Sequence, residues 1–217
     1  CTVIARIGLG DDSPEVRWTA EVVLPEGSPA SAWSLVYPQL VVAAPDPGEK
    51  ENRLLVPHRR GVLSDFGKGS SRWDNERPYP GPGVKFQFTA AYGEASGRGL
   101  YLATEDPKGS DKGFIWRNHP GQNSLVMAVR HLPAGRGVVG TGFQMPYPVV
   151  TRPFRGDWWD AARFYRTWWQ RQAWAPDKFL QDRTDVPDWL KRAPAIVRIS
   201  TSQKERTIAR NLETALQ

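Results

Sequence analysis

Apolar and polar residues alternate in short runs from residue 1 to about residue 155, and the runs stop at glycine and proline. Residues 2–7 and 16–24 read as strands, the second bounded by Ser13-Pro14 and by Pro25-Glu26-Gly27. Residues 32–42 are strand-like but carry Pro38, which cannot donate to a ladder and so predicts an edge or a bulge. Residues 84–90 alternate with period two, with Val84, Phe86 and Phe88 on one face and Lys85, Gln87 and Thr89 on the other. A glycine-bounded turn over 93–99 leads to residues 100–104, so these two segments are expected to pair antiparallel. Residues 114–117, 124–131, 138–139 and 147–151 continue the pattern. Many short strands separated by turn residues predict an antiparallel β-sandwich. Spacing alone leaves closure into a barrel open.

The period changes at Phe154. Over residues 157–174, Trp158, Ala161, Tyr165, Trp168 and Gln172 recur at steps of three and four, which predicts a helix. Asp157 fits the N-cap, Asp160 adds negative charge to the first turn, and Pro176 marks the far end. Two Trp-Trp pairs, Trp158-Trp159 and Trp168-Trp169, put aromatics on more than one face. Burial on both sides is therefore expected. Residues 175–194 form a polar connector anchored by Trp189-Leu190, and residues 195–199 are a short buried-type strand. Ser202 and Glu205 have capping-box spacing, and Ile208, Leu212, Ala215 and Leu216 mark one helix face. A strand followed directly by an amphipathic helix is one β/α unit, which needs a parallel neighbour to complete it.

The fold class predicted is thus mainly β. An antiparallel β-sandwich over residues 1–153, clipped at its start, is followed by a Trp-rich linker helix and connector over 154–194. Residues 195–217 are read as the first β/α unit of a truncated (β/α)8 barrel.

Composition narrows the function. The 217 residues are 40% apolar and 24% charged, and 10 Trp, 8 Phe and 6 Tyr supply ample core area, which excludes a disordered chain. No run of 18 apolar residues is present, so no membrane partner is expected. One cysteine excludes an internal disulfide framework and a thiolate zinc site. The three histidines, His58, His119 and His131, are scattered, so neither a metal nor a cofactor is expected. The net charge of +6 comes from 21 arginines and 8 lysines interspersed with acids, not from a basic stripe, which argues against a nucleic-acid partner. Cysteine usage leaves the compartment open between an extracellular or periplasmic and a cytoplasmic location.

Several segments together resemble one family. Leu54-Leu55-Val56-Pro57 with Gly61-Val62-Leu63 is similar to a stretch in the β-sandwich of certain large bacterial glycoside hydrolases. Tyr79-Pro80-Gly81 with Phe86-Gln87-Phe88 resembles the next segment. The run from Gly99 through Leu100, Tyr101, Leu102, Ala103, Thr104, Glu105 and Asp106, with Gly109 and Lys112 after it, resembles a third. The most specific is the run from Gly156 through Asp157, Trp158, Trp159, Asp160, Ala161 and Ala162 to Arg163, Phe164, Tyr165, Arg166, Thr167 and Trp168. It is similar to the helix that leads from sandwich to barrel in a glycoside-hydrolase-like group related to endo-α-N-acetylgalactosaminidases. The resemblance spans roughly residues 16–200. It implies a galactose-mutarotase-like sandwich ahead of a (β/α)8 barrel, with the catalytic carboxylates on the barrel. No catalytic residue is therefore assigned in this chain, which is not expected to be active by itself.

Other segments carry chemistry of their own. Residues 70–77 have no apolar period and read as a polar loop holding one tryptophan. A ring for stacking on a sugar face, beside groups that bond hydroxyls, makes Arg72, Trp73, Asp74 and Asn75 the candidate carbohydrate contact, against a tryptophan that simply packs on the sandwich. Residues 105–112 concentrate acids and lysines, read either as a glycan or calcium contact or as a solvated turn with local ion pairs. Arg155-Gly156-Asp157 spells an adhesion tripeptide, but Asp157 has a capping role. Cys1 is read as a boundary and not as a lipidated residue, since a strand begins at once. The reading that follows is a non-catalytic sandwich that braces the parent chain's own barrel and lines its substrate cleft. A stand-alone carbohydrate-binding module and a structural interaction domain are the alternatives.

Overall fold

The computed structural model describes residues 1–192 except 11, 12, 50 and 60. The strand expected at 195–199 and the helix expected over 202–216 lie outside the described residues. The chain divides into two units, Cys1–Ala173 and Trp174–Gln217.

Among the described residues of the first unit twelve strands follow in chain order: β1 (Thr2–Gly10), β2 (Ser13–Val23), β3 (Leu35–Ala43), β4 (Asn52–Val56), β5 (Val62–Asp65) and β6 (Trp73–Tyr79), then β7 (Phe88–Gly93), β8 (Arg98–Thr104), β9 (Lys112–His119), β10 (Ser124–His131), β11 (Phe143–Gln144) and β12 (Val149–Arg155). Their pairings are antiparallel. One sheet runs β1-β2-β12-β8-β7-β4-β5, with β11 beside β2, and the other runs β3-β10-β9-β6. Leu54, Ala91, Leu102 and Val149 from the large sheet share one core with Phe114, Trp116, Leu125, Met127 and Val129 from the small one. The expected antiparallel, mainly β architecture is what forms.

Strand pleat sorts side chains between this core and a second one. On the far side of the large sheet, Leu55, Phe88, Ala90, Tyr92, Tyr101, Ala103 and Phe154 meet the helix α1 (Trp158–Trp169). The middle of the large sheet is thus covered on both faces. That is why all six residues of β7 are buried and its sequence does not alternate. The expectation of a strand from residue 84 is corrected here. Val84 forms only an isolated bridge to His58 and belongs to the intersheet core, whereas Phe88 faces α1. The pairing of this region with residues 100–104 does form, with Phe88 opposite Ala103. Val138 and Val139, expected in a strand, are exposed in a turn. Pro38 answers to both of its expected roles. β3 is an edge strand, and Tyr37 and Pro38 lie where the register with β10 shifts between Ala128 and Arg130.

Helix α1 starts as its sequence requires. The Asp157 carboxylate accepts from the Trp159 N–H at 2.7 Å, and the Asp160 carboxylate accepts from the Asp157 N–H at 3.1 Å. Gly156 supplies the positive φ of 130° that turns β12 into this cap. Ala161 and Tyr165 are buried on the sheet, and Tyr165 stacks on Phe88 with ring centroids 4.9 Å apart. Trp158 and Trp159 are exposed, so within the described residues the helix is covered on one side and not on two. Replacing Asp157 with Ala is expected to cost about 1 kcal/mol of stability, read from the urea midpoint, because the capped N–H loses its acceptor.

The second unit contributes, among its described residues, a short helix α2 (Asp188–Arg192) and ion pairs Arg183–Asp185 and Lys191–Asp188. Trp189, expected as an apolar anchor, is exposed.

Candidate functional site

The two sheets end side by side at β5 and β6, the edge strand of each. Between these edges lies a cleft of about 150 Å³, lined by Leu54, Val56, Val62 and Trp116 with His58, Ser64, Trp73, Asn75 and Arg77. The segment expected as a polar loop is strand β6, hydrogen-bonded to β9 with Asn75 opposite Trp116 and Arg77 opposite Phe114. Its apolar period is missing because only Trp73 and Tyr79 reach the core, while the residues between them are exposed.

Pleating divides the four candidate residues. Trp73 and Asn75 line the cleft. Asp74 lies on the opposite face of β6, 3.0 Å from Arg117, and Glu76 follows it there, 2.8 Å from Arg130. Arg72 precedes the strand and is exposed, away from the cleft lining. The structure therefore brings two of the four together and adds Ser64 and Arg77, which the sequence reading does not single out, and His58, which it weighs as an anion contact and sets aside as structural or exposed. The i, i+2 spacing of Trp73, Asn75 and Arg77 was the available signal once the segment is a strand.

The cleft has apolar walls and open polar groups. The Trp73 indole N–H donates to the Asp65 carbonyl at 3.4 Å, and that of Trp116 donates to Thr89 Oγ1 at 3.1 Å. Both indoles are thus satisfied at their edges and present hydrocarbon. His58 Nδ1 lies 2.8 Å from the Gly83 carbonyl, which can only accept, so Nδ1 carries a proton, and in the neutral ring Nε2 is the acceptor. The Ser64 hydroxyl, the Asn75 amide and the Arg77 guanidinium have no protein partner among the described residues. Such a lining can hold a small, partly apolar, hydroxyl-rich group.

A second polar cluster is closed. Residues 105–112 do form a turn with a local ion pair, exposed at 107, 108 and 111, but the pair beneath it is not solvated. Glu105 pairs outward with Arg17, but Asp106 and Lys112 are buried, with Lys112 Nζ 2.7 Å from Asp106 Oδ2. Nζ also donates to Gln87 Oε1 at 3.0 Å and to the Ser110 carbonyl at 2.7 Å. The rings of Tyr79 and Tyr147 flank the ammonium at 4.8 and 4.5 Å. Burial works to raise the Asp106 pKa, yet Lys112 and the backbone N–H groups of Lys108 and Ser110 hold it below the usual carboxylate value. Burial lowers the Lys112 pKa against the pull of Asp106. The Lys112 and Asp106 side chains are themselves closed to solvent, whereas Ser110 and Tyr147 at the margin of the cluster line a cleft of about 480 Å³ with Arg136 and Phe143. No group of three or more His, Cys, Asp or Glu side chains among the described residues could hold a metal. No helix among them is long and apolar enough to cross a membrane.

Comparison with known proteins supplies the fold relationship. Residues 143–217 match the family described as Domain of unknown function (DUF6259). No curated protein sequence matches the chain. The fold is shared with the α-N-acetylgalactosaminidase of Bifidobacterium bifidum. Its complex with Gal-NHAc-DNJ superposes with a TM-score of 0.53 at 13% identity, covering 77% of this chain and 30% of that one. A quadruple mutant of the same protein gives 0.52 at 14% identity, with the same coverage of 77% and 30%. The chain thus spans about 30% of the length of the structures it matches.

Proposed function

We propose that this chain is the non-catalytic sandwich portion of a glycoside-hydrolase-like protein that handles a carbohydrate. In this reading residues 1–153 are a galactose-mutarotase-like sandwich, residues 154–194 link it onward, and residues 195–217 begin a (β/α)8 barrel of bacterial type. The barrel would carry the two carboxylates of O-glycosidic bond hydrolysis, and the sandwich would brace it and line one wall of its substrate cleft. The observation that carries the reading is the fold shared with the bifidobacterial α-N-acetylgalactosaminidase over 77% of this chain. The resemblance of the 156–168 helix to the sandwich-to-barrel connection supports it independently.

The cleft at the β5 and β6 edges is the carbohydrate contact in this reading. Its volume of about 150 Å³ admits one six-membered ring. Trp73 offers a stacking face, and Ser64, Asn75 and His58 Nε2 offer partners for hydroxyls. The test is a glycan array with the full 217-residue chain, followed by calorimetry on the best ligand. Asn75→Ala is expected to weaken that ligand about tenfold, on the order of 1.4 kcal/mol, without lowering the melting temperature, because Asn75 is exposed and unpartnered. Glycan binding that Asn75→Ala leaves unchanged removes the cleft from the reading. Hydrolysis of aryl glycosides by this chain alone removes the non-catalytic assignment.

A further inference from the structure

The charges of strand β6 are sorted by its pleat. Its two acids, Asp74 and Glu76, sit on the outer face and are paired with Arg117 and Arg130. Its one cation, Arg77, sits on the cleft face. The nearest acid of the opposing edge strand, Asp65, is paired with Arg53 and not with Arg77. Among the described residues no carboxylate lines the cleft. A guanidinium beside an aromatic wall, with the acids of both edge strands already paired, leaves a positive site whose five N–H donors have no protein acceptor among the described residues.

We infer that the cleft selects a sugar unit bearing an anionic group, a carboxylate or a sulfate, and that Arg77 is the residue that sets this selectivity. The inference rests on the carbohydrate reading of the cleft given above. The ring lies against Trp73, within reach of the Asn75 amide and the Ser64 hydroxyl. The anion takes the guanidinium fork, whose planar donors match a carboxylate or sulfate edge. A neutral sugar leaves that fork to water and gains nothing from it. A cationic sugar is repelled. Because the Arg77 side chain is exposed and has no partner among the described residues, its replacement is not expected to disturb the fold.

The test uses the full chain labelled with ¹⁵N, titrated with methyl β-D-glucuronide and with methyl β-D-glucoside, which differ only in a carboxylate against a hydroxymethyl group. The indole N–H resonances report occupancy at Trp73. The glucuronide is expected to bind at least about tenfold more tightly, the span of one charge-assisted hydrogen bond. Arg77→Gln is expected to erase the difference and leave the glucoside affinity within about twofold, and Arg77→Lys to keep only part of it, since the charge remains and the fork is lost. A sulfated galactoside titrated beside its neutral parent shows which of the two anions is preferred. Equal affinity for charged and neutral sugars, both lost in Asn75→Ala, overturns the selectivity and leaves the carbohydrate site standing. Tight glucuronide binding that survives Arg77→Gln overturns the role of Arg77. No saturable binding of any of these sugars overturns the site itself.

Discussion

Replacing Lys112 with methionine is expected to destabilise the sandwich by about 3–5 kcal/mol, the cost of stranding one charge of a buried pair. The Lys112 side chain is 0% exposed and that of Asp106 is 2% exposed. All three protons of the ammonium are committed, to Asp106 Oδ2, Gln87 Oε1 and the Ser110 carbonyl. Methionine fills much of the volume but supplies no donor. The Asp106 carboxylate then keeps only the N–H groups of Lys108 and Ser110 and must take up a proton or open the site to water. Gln87, which also accepts from Thr104 Oγ1 at 2.9 Å and donates to the Asp106 carbonyl at 2.9 Å, loses its third partner. Urea denaturation at neutral pH gives the loss directly. The double variant Lys112→Met with Asp106→Asn is expected to recover most of it, since removing both charges removes the stranded one. A loss below about 1 kcal/mol in the single variant, typical of exposed pairs, would show that water reaches this site. The effect bears on function through Tyr79. Its ring lies on the ammonium and it is the last residue of β6, so the cage pins the strand that carries Trp73, Asn75 and Arg77.

What the sequence shows of this fold follows from where each side chain's partner lies. Helix α1 is legible because its cap, Asp157 with Asp160, is local, and because Ala161, Tyr165 and Trp168 repeat within a few residues. The pair of β7 and β8 is legible because a glycine turn joins it. Strand β6 is not, because an edge strand exposed along most of its length has no period for a core to impose. Calling it a loop hides Arg77, and with it the pleat that separates Asp74 from Asn75. The cluster around Lys112 is hidden for another reason. Lys112 and Asp106 are six residues apart and look like a surface ion pair. Gln87, Tyr79 and Tyr147, which close the site over them, come from three other parts of the chain. Ser64 lies on β5 and His58 in the turn between β4 and β5, which only the sheet order places beside β6.

Between pH 6.5 and pH 4 the sandwich is expected to lose about 3 kcal/mol of stability through one residue, His131. Its ring is fully buried at the end of β10. Nε2 lies 2.6 Å from the Tyr37 carbonyl, which can only accept, so Nε2 carries the proton. Nδ1, 2.9 Å from the Tyr147 oxygen, then accepts from that hydroxyl. Burial raises the Tyr147 pKa, so its proton stays in place. The neutral imidazole has both nitrogens satisfied, and an imidazolium would set a second N–H against the tyrosine proton. Burial pushes the His131 pKa down to about 4, with the Tyr37 carbonyl opposing and Lys112 reinforcing. The sign follows from proton counting. In the unfolded chain the ring takes its proton near the ordinary value of about 6.5, whereas the folded ring does not until about pH 4, so in this window the unfolded state binds more protons and acidification favours it. Below pH 4 both states are protonated and this group adds no further loss. Asp46 and Asp106, both held below the ordinary carboxylate value, add their own loss only as the pH falls through their folded pKa values. Urea denaturation at half-unit steps from pH 7 to pH 4 measures the slope. In His131→Gln, whose amide still donates to the Tyr37 carbonyl but does not titrate, the slope across that window is expected to flatten while the loss below pH 4 remains. An unchanged slope in that variant would show that the titrating group lies elsewhere.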